Sequence, residues 1–305
     1  MSQEVQEALT DLWMYHMRHG AFEEAWKKSD KDLKARVGQP CWHWPRHFQY
    51  IWDGTPLAGK RVLVRCYHGL GDTIQFIRYV PLLKEMAKEV MVWAQAPLIP
   101  LLETVPGINQ LLPLHDGTPE VAYEVDVEIM ELPHVFRTTL ATIPAQSPYL
   151  HVDSIHLSPN NGLTKVGLVW KAGDWDERRS IPFSYLAPLA ELSGIQLYIL
   201  QADAPANGWD GKSGIYPGNF NLSDYARLVK GLDLMITVDS MPAHLAGALG
   251  IPVWTLLHLE ADWRWMVNRN DSPWYPTMRL FRQTEASDWT GVIQRVANEL
   301  KKISK

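Results

Sequence analysis

The 305-residue sequence predicts an α/β protein built as two consecutive halves, and three observations carry that prediction. Short apolar runs bounded by glycine, proline or charge alternate with helical patterns from residue 60 onward, as buried parallel strands and their crossover helices do. Two of these runs end in loops of glycine or small polar residues that open directly into a helix, the arrangement that makes an anion site in an open sheet. A chain of this length with 46% hydrophobic residues can also bury two cores of ordinary size. Two α/β halves in succession imply a cleft between them.

From the amino end, residues 4–37 show two helical patterns separated by His19 and Gly20. Leu9, Leu12, Trp13 and Met17 share one face of the first, and Phe22, Ala25 and Trp26 open the second. This is a helical hairpin. Its GxFEEAW junction is similar to that of tetratricopeptide repeats, but one hairpin is not an array, because such repeats need neighbours to close a core. It therefore reads as a docking appendage that offers a surface for protein contact. Residues 38–59 are rich in aromatics, proline and glycine, a linker pattern expected to pack on the domain that follows.

Arg61 to Cys66 is the first strand, and the loop after it is HGLGDTIQFIRYVPLL. Gly69 and Gly71 make a broken dinucleotide fingerprint: the third glycine is missing, and the next strand, Val90 to Ala94, ends in Gln95 with no acid for a ribose. A nicotinamide cofactor is disfavoured. Asp72, beside two glycines at a helix start, is either an N-cap or a functional carboxylate. Gln110 to Leu114 and Val125 to Met130 complete the first half, and SPNNG, Ser158 to Gly162, makes a linker. The expected organisation is residues 1–59 for hairpin and linker, 60–157 for the first α/β domain and 158–305 for the second.

The second half offers strands at Lys165 to Trp170, Gln196 to Gln201, Leu234 to Val238, Val253 to Leu256 and Met278 to Phe281. Its centre is LDLMITVDSMPAHLAGALGIPVW, Leu232 to Trp254, where Asp239 and Ser240 follow a buried strand and a small-residue helix is expected from Ala243 to Leu249. Ser240 and the first-turn amides would face a phosphate. His244 falls in the first turn. After the strand ending at Trp170 comes KAGDWDERRSIP, in which Lys171, Arg178 and Arg179 surround Asp174, Asp176 and Glu177. A cationic loop at a strand end clamps diphosphate, with arginine offering bidentate geometry. Asp174 and Asp176 spell a DxD, yet three cations in the same loop oppose a metal and can replace it, so no metal is expected. Gln201 and Asp203 stand where a base or ribose would be held. Glu260 to Gln283 is mostly loop, with Trp265 and Trp274 read as packing residues and Trp263 and Arg264 as an acceptor platform or cleft rim. Ser287 to Lys301 is a helix of the kind that can cross back to the first domain.

The net charge of −5 argues against nonspecific binding to nucleic acid or anionic membrane. Two cysteines, Cys41 and Cys66, are too few for a disulfide framework and lack metal-ligand spacing, so a reducing cytoplasm fits. No signal peptide and no apolar run of about 18 residues is present. Fourteen tryptophans include candidates for stacking on sugar faces.

Together, HGLGDTIQFIRYVPLL, KAGDWDERRSIP, the 232–254 stretch and DWRWMVNRNDSPWYPTMRLFRQ resemble glycosyltransferase family 9 over roughly residues 50 to 285. The likeness is closest to the glycosyltransferase domain that follows tetratricopeptide repeats in many bacterial proteins, with ADP-heptose:lipopolysaccharide heptosyltransferases more distant. The resemblance implies a GT-B fold of two Rossmann-like domains facing a cleft, inversion at the anomeric carbon, no metal and no cofactor beyond the nucleotide-diphosphate sugar that serves as donor. It implies a glycan, lipid-linked glycan or protein acceptor. By motif, Asp72 matches the general base after Gly69 and Gly71, Arg179 a phosphate-contacting cation, Asp239 and Ser240 an Asp-Thr pair at the donor, and His244 the helix histidine behind them. Lys171 and Gln201 join the expected donor set. The sequence departs from the family where Ser240 replaces threonine, where Met241 and Pro242 follow it, and where tyrosine and histidine precede Gly69. The competing expectations are an inactive nucleotide- or glycan-binding scaffold and, less favoured, a nicotinamide enzyme.

Overall fold

The computed structural model describes residues 12–157 and 162–304. Leu9 of the first helical pattern and residues 158–161 of the expected linker lie outside the described residues. The chain divides into two compact units, Met1–Ala145 with Asp262–Asn268 as unit 1 and Gln146–Ala261 with Arg269–Lys305 as unit 2.

Unit 1 begins with two helices, α1 (12–18) and α2 (Phe22–Arg36). Between them Gly20 takes φ +73, a conformation that favours glycine. Phe22, Ala25 and Trp26 are buried. The Trp26 indole N–H donates to the Thr138 carbonyl at 2.7 Å, and Asp30 accepts from both His134 at 2.9 Å and Arg137 at 2.7 Å. The α2 helix is thus anchored by apolar and polar contacts along one face. The aromatic linker packs as its composition suggests: Arg46 lies over the rings of Tyr67 and Trp93, and Trp42 over Arg65.

The sheet of unit 1 is parallel and four-stranded, made from β1 (Arg61–Arg65), β2 (Glu89–Ala94), β3 (Gln110–Pro113) and β4 (Val125–Glu128) in the order β3-β2-β1-β4. The connections carry α3 (Leu70–Phe76), α4 (Val80–Met86) and α5 (Ile99–Leu102), and α6 (Leu132–Val135) follows β4. Val62, Leu63 and Val64 of β1 and Val90 to Ala94 of β2 are buried, as central strands covered on both faces must be.

Unit 2 has a five-stranded parallel sheet, β5 (Thr164–Val169), β6 (Ile195–Ile199), β7 (Leu234–Val238), β8 (Val253–Leu257) and β9 (Met278–Arg282), in the order β6-β5-β7-β8-β9. Its helices are α7 (Phe183–Leu186), α8 (Leu222–Lys230), α9 (Met241–Ala248) and α10 (Trp289–Ile303). Every residue of β7 and β8 is buried. One expectation is corrected here. The small-residue helix starts at Met241 rather than Ala243, because proline at the second helical position gives up only an N–H that has no intrahelical acceptor anyway. In the last helix, Val292, Ile293, Val296 and Leu300 form one apolar stripe that packs into the unit 2 core with Phe183, Leu186 and Phe281. Residues 146–157 also group with unit 2, where Tyr149 and Leu150 donate their N–H groups to the Ala248 carbonyl.

Candidate functional site

An open parallel sheet offers its ligand site where the strand order reverses, since neighbouring loops diverge there and leave a crevice at the carboxyl ends. Each unit has one such point. In unit 1 it lies between β1 and β4, and in unit 2 between β5 and β7. The sequence-predicted residues Gly69, Gly71 and Asp72 follow β1; Lys171 and Arg179 follow β5, with Asp239 and Ser240 after β7.

In unit 1, Gly69 is the N-cap of α3 and Asp72 its third helical residue. The Asp72 Oδ2 atom accepts the Gly69 N–H at 2.9 Å, so the carboxylate does cap the helix. A Cβ at Gly69 would stand 3.1 Å from that oxygen, which is why the loop is tightest with glycine there. The other oxygen is engaged as well: Arg264 Nη2 donates to Asp72 Oδ1 at 2.6 Å. Trp263 and Arg264, expected at an acceptor rim, are only 5% and 8% exposed and belong to the 262–268 segment grouped with unit 1. Arg264 also donates to Gln75 Oε1 at 2.8 Å and to Asp262 Oδ1 at 2.9 Å, and its guanidinium covers the rings of Trp263 and Phe76. Trp263 stacks on Phe76 and meets the edge of Trp13 from α1, while Val267 N–H donates to the Arg18 carbonyl. The first helix, α1, therefore helps hold the segment that carries Arg264.

A second carboxyl at this point escaped the sequence reading. Glu128 ends β4, is 2% exposed, and accepts N–H bonds from Tyr67 at 3.2 Å and Met130 at 2.6 Å. Burial pushes its pKa well above the ordinary carboxylate value, and the negative charges of Glu131 and Asp72 add to the rise. His68 Nε2 lies 3.9 Å from Glu128, and burial lowers the His68 pKa. Only the adjacency of β1 and β4 brings these groups together, and a strand expected to run through Met130 conceals the acid at its end.

In unit 2 the cations are sorted by their partners. Arg178 is neutralised by Asp176, which accepts from its Nε at 3.0 Å and Nη2 at 2.9 Å, and by Glu260. The same bonds hold Asp176 below the usual carboxylate range, and its Oδ1 also caps the Arg178 N–H. Arg179 instead donates to backbone carbonyls: Asp239 at 3.1 Å, Gly173 at 3.1 Å and Asp176 at 3.4 Å. It bridges the loops after β5 and β7 through neutral acceptors. Lys171 likewise donates to the neutral Asn207 side chain at 2.9 Å.

A pocket of about 450 Å³ opens beside this loop, lined by Trp170, Lys171, Gly173, Asp174, Glu177, Ser180 and Asn207 among others. Gln201 is buried, and its Oε1 accepts the N–H groups of Trp170 at 3.2 Å and Lys171 at 2.9 Å, so it shapes the end of β5. Ser240 is the N-cap of α9 without a side-chain cap bond; its hydroxyl donates to the Val238 carbonyl at 3.2 Å. Asp239 is buried. His244 is the fourth residue of α9, buried, with Nδ1 3.0 Å from the Tyr275 hydroxyl. Gly247 explains the small-residue helix: a Cβ there would fall 2.3 Å from the Tyr275 ring. Among the described residues no group of three or more His, Cys, Asp or Glu is placed to hold a metal ion, and no helix is long and apolar enough to cross a membrane.

Residues 205–282 match Glycosyltransferase family 9 (heptosyltransferase). The chain is 25% identical over 292 residues to Protein FlbA of Caulobacter vibrioides, covering 82% of this chain and 48% of that protein, so it spans about half the length of the curated relative it matches. Among solved structures, the glycosyl transferase family 9 from Veillonella parvula superposes with a TM-score of 0.57 at 14% identity, over 82% of this chain and 92% of that one. The E. coli ADP-heptose lps heptosyltransferase II gives 0.55 at 16% identity, over 79% and 98%. At those identities the likeness speaks to fold. Residues 205–282 thus resemble glycosyltransferase family 9, and the fold is similar to those of the solved family 9 and heptosyltransferase structures.

Proposed function

We propose that this chain is a metal-independent inverting glycosyltransferase of the GT-B kind, which moves a sugar from a nucleotide-diphosphate sugar to a hydroxyl of a glycan, lipid-linked glycan or protein. The observation that carries the reading is the sorting of cations at the β5/β7 switch point: Arg179 and Lys171 keep neutral partners while Arg178 is neutralised. In this reading the diphosphate lies at the amino end of α9 and is balanced by Arg179 and Lys171, and the nucleoside enters the pocket lined by Trp170 and Asn207. Asp239 and His244 support that helix end from within.

In unit 1, Asp72 is the general base. Each of its oxygens accepts one bond and so keeps a lone pair for an incoming proton. The acceptor oxygen forms a bond to the anomeric carbon as the bond from that carbon to the phosphate oxygen breaks. The proton passes to Asp72, and the nucleoside diphosphate leaves with the electron pair, its new charge stabilised by Arg179. Asp176 is already held by Arg178, which leaves the DxD without its second carboxylate for a metal. The amino-terminal helical pair, of the tetratricopeptide-like kind, serves as a protein-contact element.

The test is release of nucleoside diphosphate from a panel of nucleotide sugars. ADP-heptose comes first, because one structural neighbour is an ADP-heptose heptosyltransferase. Release is expected and survives EDTA. Chelation that abolishes it, with restoration by magnesium or manganese, would overturn the metal-free reading. Binding of the nucleotide without release from any donor would favour an inactive scaffold.

A further inference from the structure

We infer that Arg264 is a positioning residue for Asp72, fixing the carboxylate's orientation through a guanidinium that is itself held by groups other than Asp72. The inference rests on the reading of Asp72 as base. One N–H bond from Gly69 to Oδ2 leaves the carboxylate free to turn about its Cβ–Cγ bond. A second bond to Oδ1, from Arg264, removes that freedom. The cation is in turn pinned: its Nε donates to Gln75, its Nη1 to Asp262, and its Cζ lies 4.8 Å from the Trp263 ring centroid and 5.5 Å from that of Phe76. Gln75 and Phe76 sit on the same helix as Asp72. The base and two supports of its clamp are therefore one rigid piece, into which a segment 192 residues away inserts its arginine. At 8% exposure, and with bonds directed inward from Nε, Nη1 and Nη2, Arg264 is built to orient a neighbour.

The experiment compares wild type with Arg264→Gln, Arg264→Lys, Gln75→Met, Asp72→Asn and the Asp72→Asn/Arg264→Gln pair. The readouts are hydrolytic release of ADP from ADP-heptose, or release from whichever panel donor turns over, the donor KM, and the melting temperature. Arg264→Gln is expected to lower kcat roughly 10- to 100-fold with donor KM within about twofold, since a misplaced group forfeits orientation rather than binding. Arg264→Lys recovers part of the loss. In the Asp72→Asn background the arginine change costs nothing further, because a residue that acts only through the base cannot be felt once the base is gone. Gln75→Met leaves the ion pair in place and is expected to cost several-fold, which keeps the test decisive if Arg264→Gln does not fold.

Full turnover in Arg264→Gln overturns the inference, as do losses that multiply in the double variant or, failing a folded Arg264→Gln, wild-type turnover in Gln75→Met. Full turnover in Asp72→Asn, or no release by wild type from any donor, overturns the base reading and this assignment with it.

Discussion

The two switch points are made of similar parts in opposite arrangements. At β1/β4 the half-buried Asp72 is held by Gly69 and Arg264, and the buried Glu128 is sealed against two backbone N–H groups. At β5/β7 the cations are half-buried or exposed, and two of the three lean on neutral acceptors. A site that must move a proton at one atom gains from orientation, whereas a site that must hold a polyanionic leaving group gains from charge that no carboxylate has already neutralised. Arg178 and Arg264 show the contrast most directly. Both pair with acids, but Arg178 pairs on the surface and Arg264 does so under two aromatic rings.

The largest expected effect comes from removing the basic group. Asp72→Asn keeps the shape and an acceptor for one neighbour while losing proton affinity, so steady-state turnover should fall roughly 10²- to 10⁴-fold with nucleotide affinity nearly unchanged. Wild-type turnover with a lower melting temperature would make Asp72 a helix cap alone. Next is Trp263→Ala, which empties the stack on Phe76 and the edge contact with Trp13. Chemical denaturation should report a loss of about 3 to 5 kcal/mol, as for other buried aromatic truncations. A negligible change would mean that the 262–268 segment is not part of the unit 1 core.

The third experiment sets the two arginines of one loop against each other by calorimetry with ADP. Loss of a charge-assisted contact in Arg179→Ala is worth roughly 1.5 to 3 kcal/mol, about a tenfold to hundredfold weaker Kd. Arg178→Ala breaks only a surface pairing and should stay within a few-fold of wild type. Equal effects would erase the distinction drawn between them.

The smallest effect is a pH dependence. Glu128 has a folded pKa raised above its unfolded value, so between the two the folded chain binds the extra proton, and stability is full below the unfolded value and falls as pH rises. The melting temperature of the wild type should therefore decline, as pH rises above the ordinary carboxylate value, more steeply than that of Glu128→Gln, which has no carboxyl to ionise. Parallel curves would show that this carboxyl does not titrate in that range.

Much of the fold was legible because its signals are local. Apolar runs such as Leu234–Val238 and the helix starts after Gly69 and Ser240 depend on neighbours in sequence, and the structure has strands at all nine expected places with shifts of one or two residues at their ends. The helix starts at Met241, two residues before the expected Ala243, because proline is accommodated as a second helical residue. The aromatic linker and the packing of Trp265 and Trp274, both fully buried, were also readable from composition.

By itself the sequence determined the secondary structure, the strand-to-helix loops and the residue types at their mouths, because propensity, hydrophobic period and glycine placement act over a few residues. Only the tertiary structure decided which strands are neighbours, and therefore that Glu128 stands beside the Asp72 loop. It also decided that Arg179 meets the Asp239 carbonyl while Arg178 meets Glu260, and that Arg264 turns in to Asp72. Those choices depend on desolvation and on partners 60 to 192 positions away, and no local pattern encodes either one.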